Sequence, residues 1–383
     1  MVINLRVVAS RLKRIRETLA YSTGDVGQAT GIDENRLLLV ETGSEQPSGD
    51  EILILASFYD CDFQGLVDDT IPAPGEQSEI LFRRYGDTFG ASDRRAVQEF
   101  LHLCQIEEGL ERSLRRNRDR FTPAGASGPF YKHHGQTAAE ELRRHLRYGE
   151  TEASRDVFAD FRSIGIHIFR RRLENDEISG LYVEDNVAGH CVLINYNEDI
   201  YRQRFSVAHE VAHSIFDSSE GVMLTYVFAS SKYDKREIRE IRANSFASNY
   251  LMPRSMLGLL PKLDATSARH WAQEFRVSTT ALAYALKDAR LVSESTVNMI
   301  RAVRVPREEK IDPEVPKSLT NSQRERRLAL LERGLSSYYV ELCFDAHDAG
   351  VISTGRLIEA LKINSADLAD ICTLFGRTIR HDV

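Results

Sequence analysis

The chain has few residues with which to cross-link itself. Its 383 residues include five cysteines (Cys61, Cys104, Cys191, Cys343 and Cys372), which are scattered and form no C-x-x-C pair. An odd, dispersed set excludes a disulfide framework, and each is expected as a small apolar core residue. No run of 18 or more apolar residues occurs, so no transmembrane helix is expected. The first residues, Met1 to Arg6, lack the basic-then-apolar pattern of a secretory signal. The expectation is a cytoplasmic protein without a membrane partner. There is also no internal repeat and no low-complexity tract. The length suggests two or three domains.

What the chain does have is His209-Glu210-Val211-Ala212-His213, an H-E-x-x-H pattern. On a helix, residues four apart lie on one face, one turn apart, so His209 and His213 can grip one Zn²⁺ from the same side. Glu210 is then placed to take a proton from a metal-held water. Two solvated histidines on a surface helix would be the plainer explanation. The flanks oppose it: Phe205, Val207, Ala208, Val211, Ala212, Ile215 and Phe216 make the segment apolar almost all round, as in a buried helix. Buried imidazoles and carboxylates need partners, and a metal supplies them.

A catalytic zinc takes three protein ligands and leaves a position for water. The third ligand is expected in the helical stretch 237–251, ended by Pro253, with Ile241, Phe246, Ala247 and Tyr250 or Leu251 as an apolar stripe. Glu240 and Asn244 share a face there, so Glu240 suits a ligand and Asn244 a group that orients a histidine. Spacing alone leaves Glu237 a close rival of Glu240.

Arg204 to His213, then Glu240-x-x-Ala243-Asn244-x-Phe246-Ala247, then Leu251-Met252-Pro253, resembles the ImmA/IrrE family of metallopeptidases. The resemblance covers roughly residues 137–290. It includes Ser179-Gly180-Leu181 and the apolar run 191–195, read as strands ahead of the zinc helix. It implies that Glu240 is the third ligand. Ala212 departs from the glycine that many members carry, and alanine is the better helix former. The resemblance also implies a substrate class, a partner transcriptional repressor cut at one site in stress, phage or mobile-element responses. Tyr201, Tyr233 and Tyr250 are candidates for a hydrogen-bond donor to the oxyanion.

Residues 1–70 read as short helices separated by turns: one through Leu12, Ile15 and Leu19, then Gly24–Thr30, Glu34–Glu41 capped by Asp33, and Glu51–Tyr59. Arg11-Leu12-Lys13, Gly31-Ile32, Val40-Glu41-x-Gly43 and Gln46-Pro47-Ser48 resemble the phage-repressor-like (XRE) helix-turn-helix family. That resemblance implies DNA contact through Asn35 and Arg36 on the third helix, with Arg11 and Arg14 as further candidates. Charge points the other way. Residues 1–70 hold six basic and twelve acidic side chains, a net −6 of the chain's −7. DNA affinity comes mainly from neutralising phosphates. A DNA-binding module and a protein-interaction or dimerisation module both stay open.

The remaining divisions follow pattern and punctuation. Residues 71–136 are expected as a helical connector and linker: a helix over 92–116, an arginine cluster (Arg112, Arg115, Arg116, Arg118, Arg120) read as a solvated helix end, the loop 122–129, and exposed His133-His134. Residues 137–302 are the peptidase domain, closed by a small helical subdomain over 268–291. Residues 303–319 are charged and proline-bearing, a linker. Residues 320–383 read as four accessory helices. The expected fold class is mainly α with a small β-sheet. The expected function is zinc-dependent limited proteolysis of a helix-turn-helix repressor. A transcription regulator or sensor that binds metal or ligand without cutting is the alternative, and a toxin–antitoxin component is a third. Intact Glu210 favours the enzyme, because a binding-only site needs no base.

Overall fold

A computed structural model describes residues 4–116, 118–124, 130–218, 221–226, 235–261 and 263–379. It is mainly helical with one small mixed sheet, as the patterning implies. The chain forms two compact units: Met1–Ile106 with Leu173–Asn175, and Glu107–Arg172 with Asp176–Val383. No helix among the described residues is long and apolar enough to cross a membrane. All five cysteines are buried and unpaired.

The first unit starts with α1 (Leu5–Thr18), α2 (Thr23–Thr30), α3 (Glu34–Glu41) and α4 (Gly49–Phe58). Local chemistry sets their ends. Ser22 and Ser48 form reciprocal capping boxes with Asp25 and Glu51, and Asp33 accepts from the Asn35 and Arg36 amides. Gly31 ends α2 with a positive φ of 75°, which suits glycine. Val8, Leu12, Ile15, Val26, Leu37, Val40 and Leu55 fill the core, one apolar stripe per helix. Three further helices follow: α5 (Gln64–Val67), α6 (Glu76–Tyr85) and α7 (Ala91–Ser113), whose last turns belong to the second unit. Asp93 accepts from the amides of Glu174 and Asn175 at 2.7 and 3.2 Å, which holds that distant loop in the first unit.

The second unit is built on a four-stranded sheet. Its strands are β1 (His167–Arg171), β2 (Ile178–Asp185), β3 (Gly189–Asn195) and β4 (Val222–Tyr226), in the order β1-β3-β2-β4. β1 runs parallel to β3, and the other pairings are antiparallel. Strands β2 and β3 contain the two segments that read as strands. Helices α8 (Tyr131–His145) and α9 (Val157–Ser163) precede the sheet. Helix α10 (Ile200–Phe216) packs on β2 and β3, with Val207, Ala208, Val211 and Ala212 fully buried. Helix α11 (Lys235–Leu251) packs on α8 and α10. A Cβ on Gly135 of α8 would lie 2.3 Å from the Arg242 carbonyl oxygen, so the two backbones meet where only glycine fits. Short α12 (Arg254–Leu257) follows, then α13 (Ala265–Phe275), α14 (Thr279–Asp288) and α15 (Glu294–Ala302) form the small closing subdomain.

Four sequence expectations need correction. The segment read as a linker, 303–319, is packed: Arg170 pairs with Asp312 at 2.8 Å, Arg162 with Glu314 at 3.5 Å and Lys310 with Asp199 at 2.6 Å, and Val305 and Val315 are buried. Its charges looked like solvated linker charges, but they answer buried arginines. The four C-terminal helices do form, as α16 (Asn321–Glu332), α17 (Ser337–Asp348), α18 (Thr354–Ala360) and α19 (Leu368–Phe375). They belong to the same compact unit as the sheet, for Arg171 bridges to Arg333 beside β1 and Phe169 meets Tyr339 edge-on. The arginine cluster is not simply solvated: Arg118 pairs with buried Glu107 and Glu111, and Arg116 with Asp345. His133 is exposed, but His134 is buried at the start of α8 against the Tyr131 ring. Part of the anticipated 122–129 loop, residues 125–129, lies outside the described residues.

Candidate metal centre

Helix α10 presents His209 and His213 on one face by its own periodicity, and buries both. Helix α11 brings Glu240 to them. The Nε2 atoms of the two histidines are 3.1 Å apart. Glu240 Oε2 lies 3.2 Å from His209 Nε2, and Glu240 Oε1 lies 3.6 Å from His213 Nε2. Ligand atoms held tetrahedrally at about 2.0–2.1 Å from one ion stand about 3.3–3.4 Å apart, so the three separations match one zinc-sized site. Among the described residues, this is the group whose carboxylate and imidazole atoms converge in this way, and Glu237 is not in it. Glu240 is partly exposed.

The outer ring atoms are already committed. His209 Nδ1 faces Asn244 Oδ1 at 3.1 Å, and His213 Nδ1 faces Asp217 Oδ2 at 2.9 Å. Both partners are acceptors, so each neutral ring carries its proton on Nδ1. With both rings neutral, the two Nε2 atoms are acceptors facing one another at 3.1 Å. A shared cation satisfies both, and the donor set of two imidazoles and a carboxylate suits zinc. At His209, burial favours the neutral ring, but the Glu240 carboxylate outweighs it and raises the pKa.

Glu210, one position on from His209, faces the sheet at β2 and β4, beside Gly180 and Thr225. It is fully buried, and neither carboxylate oxygen has a well-formed hydrogen bond. Burial raises its pKa, opposed by the two imidazoles and the Thr225 hydroxyl on β4. A buried carboxylate without a well-formed hydrogen bond is costly. Gly180 on β2 makes the room: a Cβ there would come within 3.2 Å of Glu210 Cγ and 3.0 Å of the Leu193 carbonyl oxygen.

The sequence reading nominated His209, Glu210, His213, Glu240 and Asn244; the ligand atoms of His209, His213 and Glu240 converge, Asn244 faces His209, and Glu210 is buried beside Gly180. It overlooked Asp217. That residue holds His213 and in turn accepts from Arg242 at 2.5 Å, with Arg239 Nε at 3.4 Å. A signal for it exists: 209, 213 and 217 continue one four-residue spacing. Two of the three tyrosine candidates lie away from the centre along their helices. Tyr250 donates to Asp160 at 2.8 Å, ten residues from Glu240 and therefore about 15 Å along the helix. Tyr201 lies eight residues before His209, about 12 Å along α10, under Lys310. Tyr233 lies outside the described residues. Ile241, assigned to the apolar stripe, is exposed and lines a cavity of about 460 Å³ with Ile238, Tyr131 and Phe130.

The four residues nominated for DNA contact stand differently. Arg36 makes a bidentate pair with Glu51, both bonds 2.8 Å, and also meets Glu45 and the Gln46 carbonyl. Arg11 donates to the carbonyls of Gly65, Asp68 and Ile71 at 2.6–2.7 Å. Arg14 pairs with Glu79, and Asn35 is exposed on α3.

Residues 161–287 match the model of a peptidase family described as the IrrE N-terminal-like domain. The matched span contains all of α10, β4 and α11, and so every residue of the centre. It suggests a metallopeptidase of the ImmA/IrrE type. No curated protein matches the chain.

Proposed function

We propose that the chain is a zinc-dependent endopeptidase that cuts one site in a cognate transcriptional repressor. The observation that carries the chemistry is the pair of facing Nε2 lone pairs, closed by Glu240 and flanked by an unpartnered buried carboxylate. His209, His213 and Glu240 would hold the ion. A zinc ion bound there would supply Lewis acidity toward a water and the scissile carbonyl. Asn244 and Asp217 hold the rings in the ligating tautomer. Glu210, its pKa raised by burial, takes a proton from the attacking water and delivers it to the departing amine. Substrate access is expected along β4, the sheet edge that carries Thr225 beside Glu210. At the opposite edge, β1 is bridged by Arg333. An extended peptide can add to such an edge through backbone hydrogen bonds.

The repressor target follows from the ImmA/IrrE resemblance, and so does an activating stress or mobile-element signal. A test is to incubate the zinc-loaded chain with helix-turn-helix regulators encoded nearby and read products by mass spectrometry. One discrete cut that Glu210→Gln abolishes supports the proposal. A chain that binds zinc and its own promoter tightly, yet cuts none of these regulators, sinks it in favour of a non-cutting regulator.

A further inference from the structure

The helix that would enter a DNA groove displays aliphatic side chains instead of free cations. On α3, Leu38 and Leu39 are 44% and 39% exposed, and on α4, Leu53 and Ile54 are 52% and 42% exposed. Each helix buries its own core stripe elsewhere (Leu37 and Val40, Ile52 and Leu55), so these four are not core residues at a frayed edge. Leu39 lies three residues beyond Arg36 and Ile54 three beyond Glu51, so these two lie nearest the Arg36–Glu51 ion pair that ties α3 to α4. Acids border them: Glu34 stands one turn before Leu38, and Asp50 one turn before Ile54, both exposed.

Free positive charge is scarce around this face. Arg11, Arg14, Arg16 and Arg36 are four of the six basic residues in 1–70, and all four are engaged within the unit. Phosphate binding needs cations that can leave their own counterions. A second copy of the same face is also a poor match, because each would bring Glu34 and Asp50 against the other's.

We infer that this face of α3 and α4 is a docking surface for a basic amphipathic protein segment. Such a segment sets its own aliphatic side chains against Leu38, Leu39, Leu53 and Ile54, and its lysines or arginines against Glu34 and Asp50. The inference does not depend on the hydrolase reading, since it uses no residue of the metal centre.

The test uses the full chain and three fluorescent probes: an amphipathic helical peptide of leucine and lysine, its leucine–glutamate counterpart, and duplex DNA. The leucine–lysine peptide should bind, and its counterpart should not. Leu39→Ser/Ile54→Ser should weaken binding about tenfold or more. Glu34→Gln/Asp50→Asn should weaken it and flatten its salt dependence. Leu38→Ser/Leu53→Ser gives a second apolar test, and an unchanged circular dichroism spectrum separates loss of the face from loss of the fold. Equal binding by wild type and all variants overturns the inference. So does tighter binding of duplex DNA, and so does self-association that the serine variants abolish.

Discussion

The candidate metal centre and the first helical unit treat their polar side chains in opposite ways. In the first, the outer atoms of His209 and His213 are tied down, while the inner atoms converge with the Glu240 carboxylate. Glu210 is buried without a well-formed partner. In the second, Arg11, Arg14 and Arg36 are engaged internally, Arg36 through every nitrogen of its guanidinium. Buried groups that lack partners cost stability unless something binds them. The contrast is therefore between a converging set of potential metal ligands and a set of basic side chains already engaged, although both segments carry family-like motifs.

That contrast can be broken most directly at Glu210. Glu210→Gln removes the proton acceptor but no metal ligand, so cleavage should fall about 10²–10⁴-fold while the zinc content of the protein stays unchanged. Loss of zinc together with activity would show that Glu210 is structural, like the groups of the first unit.

A buried charge network sets the next test. His167 lies 2.8 Å from Glu107 and 3.5 Å from Glu108. Burial alone would lower its pKa, but the two carboxylates push it up to about 10. A raised value favours the folded state while the unfolded imidazole would be neutral. This stability is therefore complete below about pH 6.5 and declines as pH rises toward 10. The loss should be on the order of a few kcal/mol in denaturant titrations across that window, and His167→Gln should flatten it. A flat wild-type profile would place this network among groups that are neutral when buried.

Smaller effects sharpen the centre's outline. Gly180→Ala should cost roughly 1–3 kcal/mol in thermal unfolding and slow cleavage, because its Cβ crowds both the Leu193 carbonyl and Glu210. Asp217→Ala should weaken zinc affinity about 10–100-fold, measured by chelator competition, with the Glu240 ligand intact. An unchanged affinity would make Asp217 a tie between α10 and α11 through Arg242 and no more. At the other extreme, Arg36→Ala should leave DNA binding in gel shifts at two salt concentrations unaltered. A clear loss would restore the groove-reading role that its ion pairs deny.

Much of the centre was legible because helix periodicity is a local rule. A four-residue spacing places His209 with His213 and Glu240 with Asn244 before any tertiary contact is known. Glu240 and Glu237 could not be separated by that rule, since both sit on the exposed turn of one helix. Asp217 was legible on the same spacing and was overlooked. The linker reading of 303–319 failed for a different reason. Charge and proline signal solvent only when no buried opposite charge waits elsewhere, and Arg162 and Arg170 are invisible as partners in one dimension.

The sequence by itself determined the helices, their caps, the strands ahead of α10 and the pairing of imidazoles on one face, since these depend on neighbours within a turn or two. The tertiary structure alone decided which carboxylate reaches those imidazoles, that Glu210 is left without a partner, and that Arg11, Arg14 and Arg36 are already engaged. Such outcomes depend on groups tens to hundreds of residues apart meeting where water is absent. There an unpaired charge or lone pair is expensive, and its satisfaction or neglect separates a scaffold from a site.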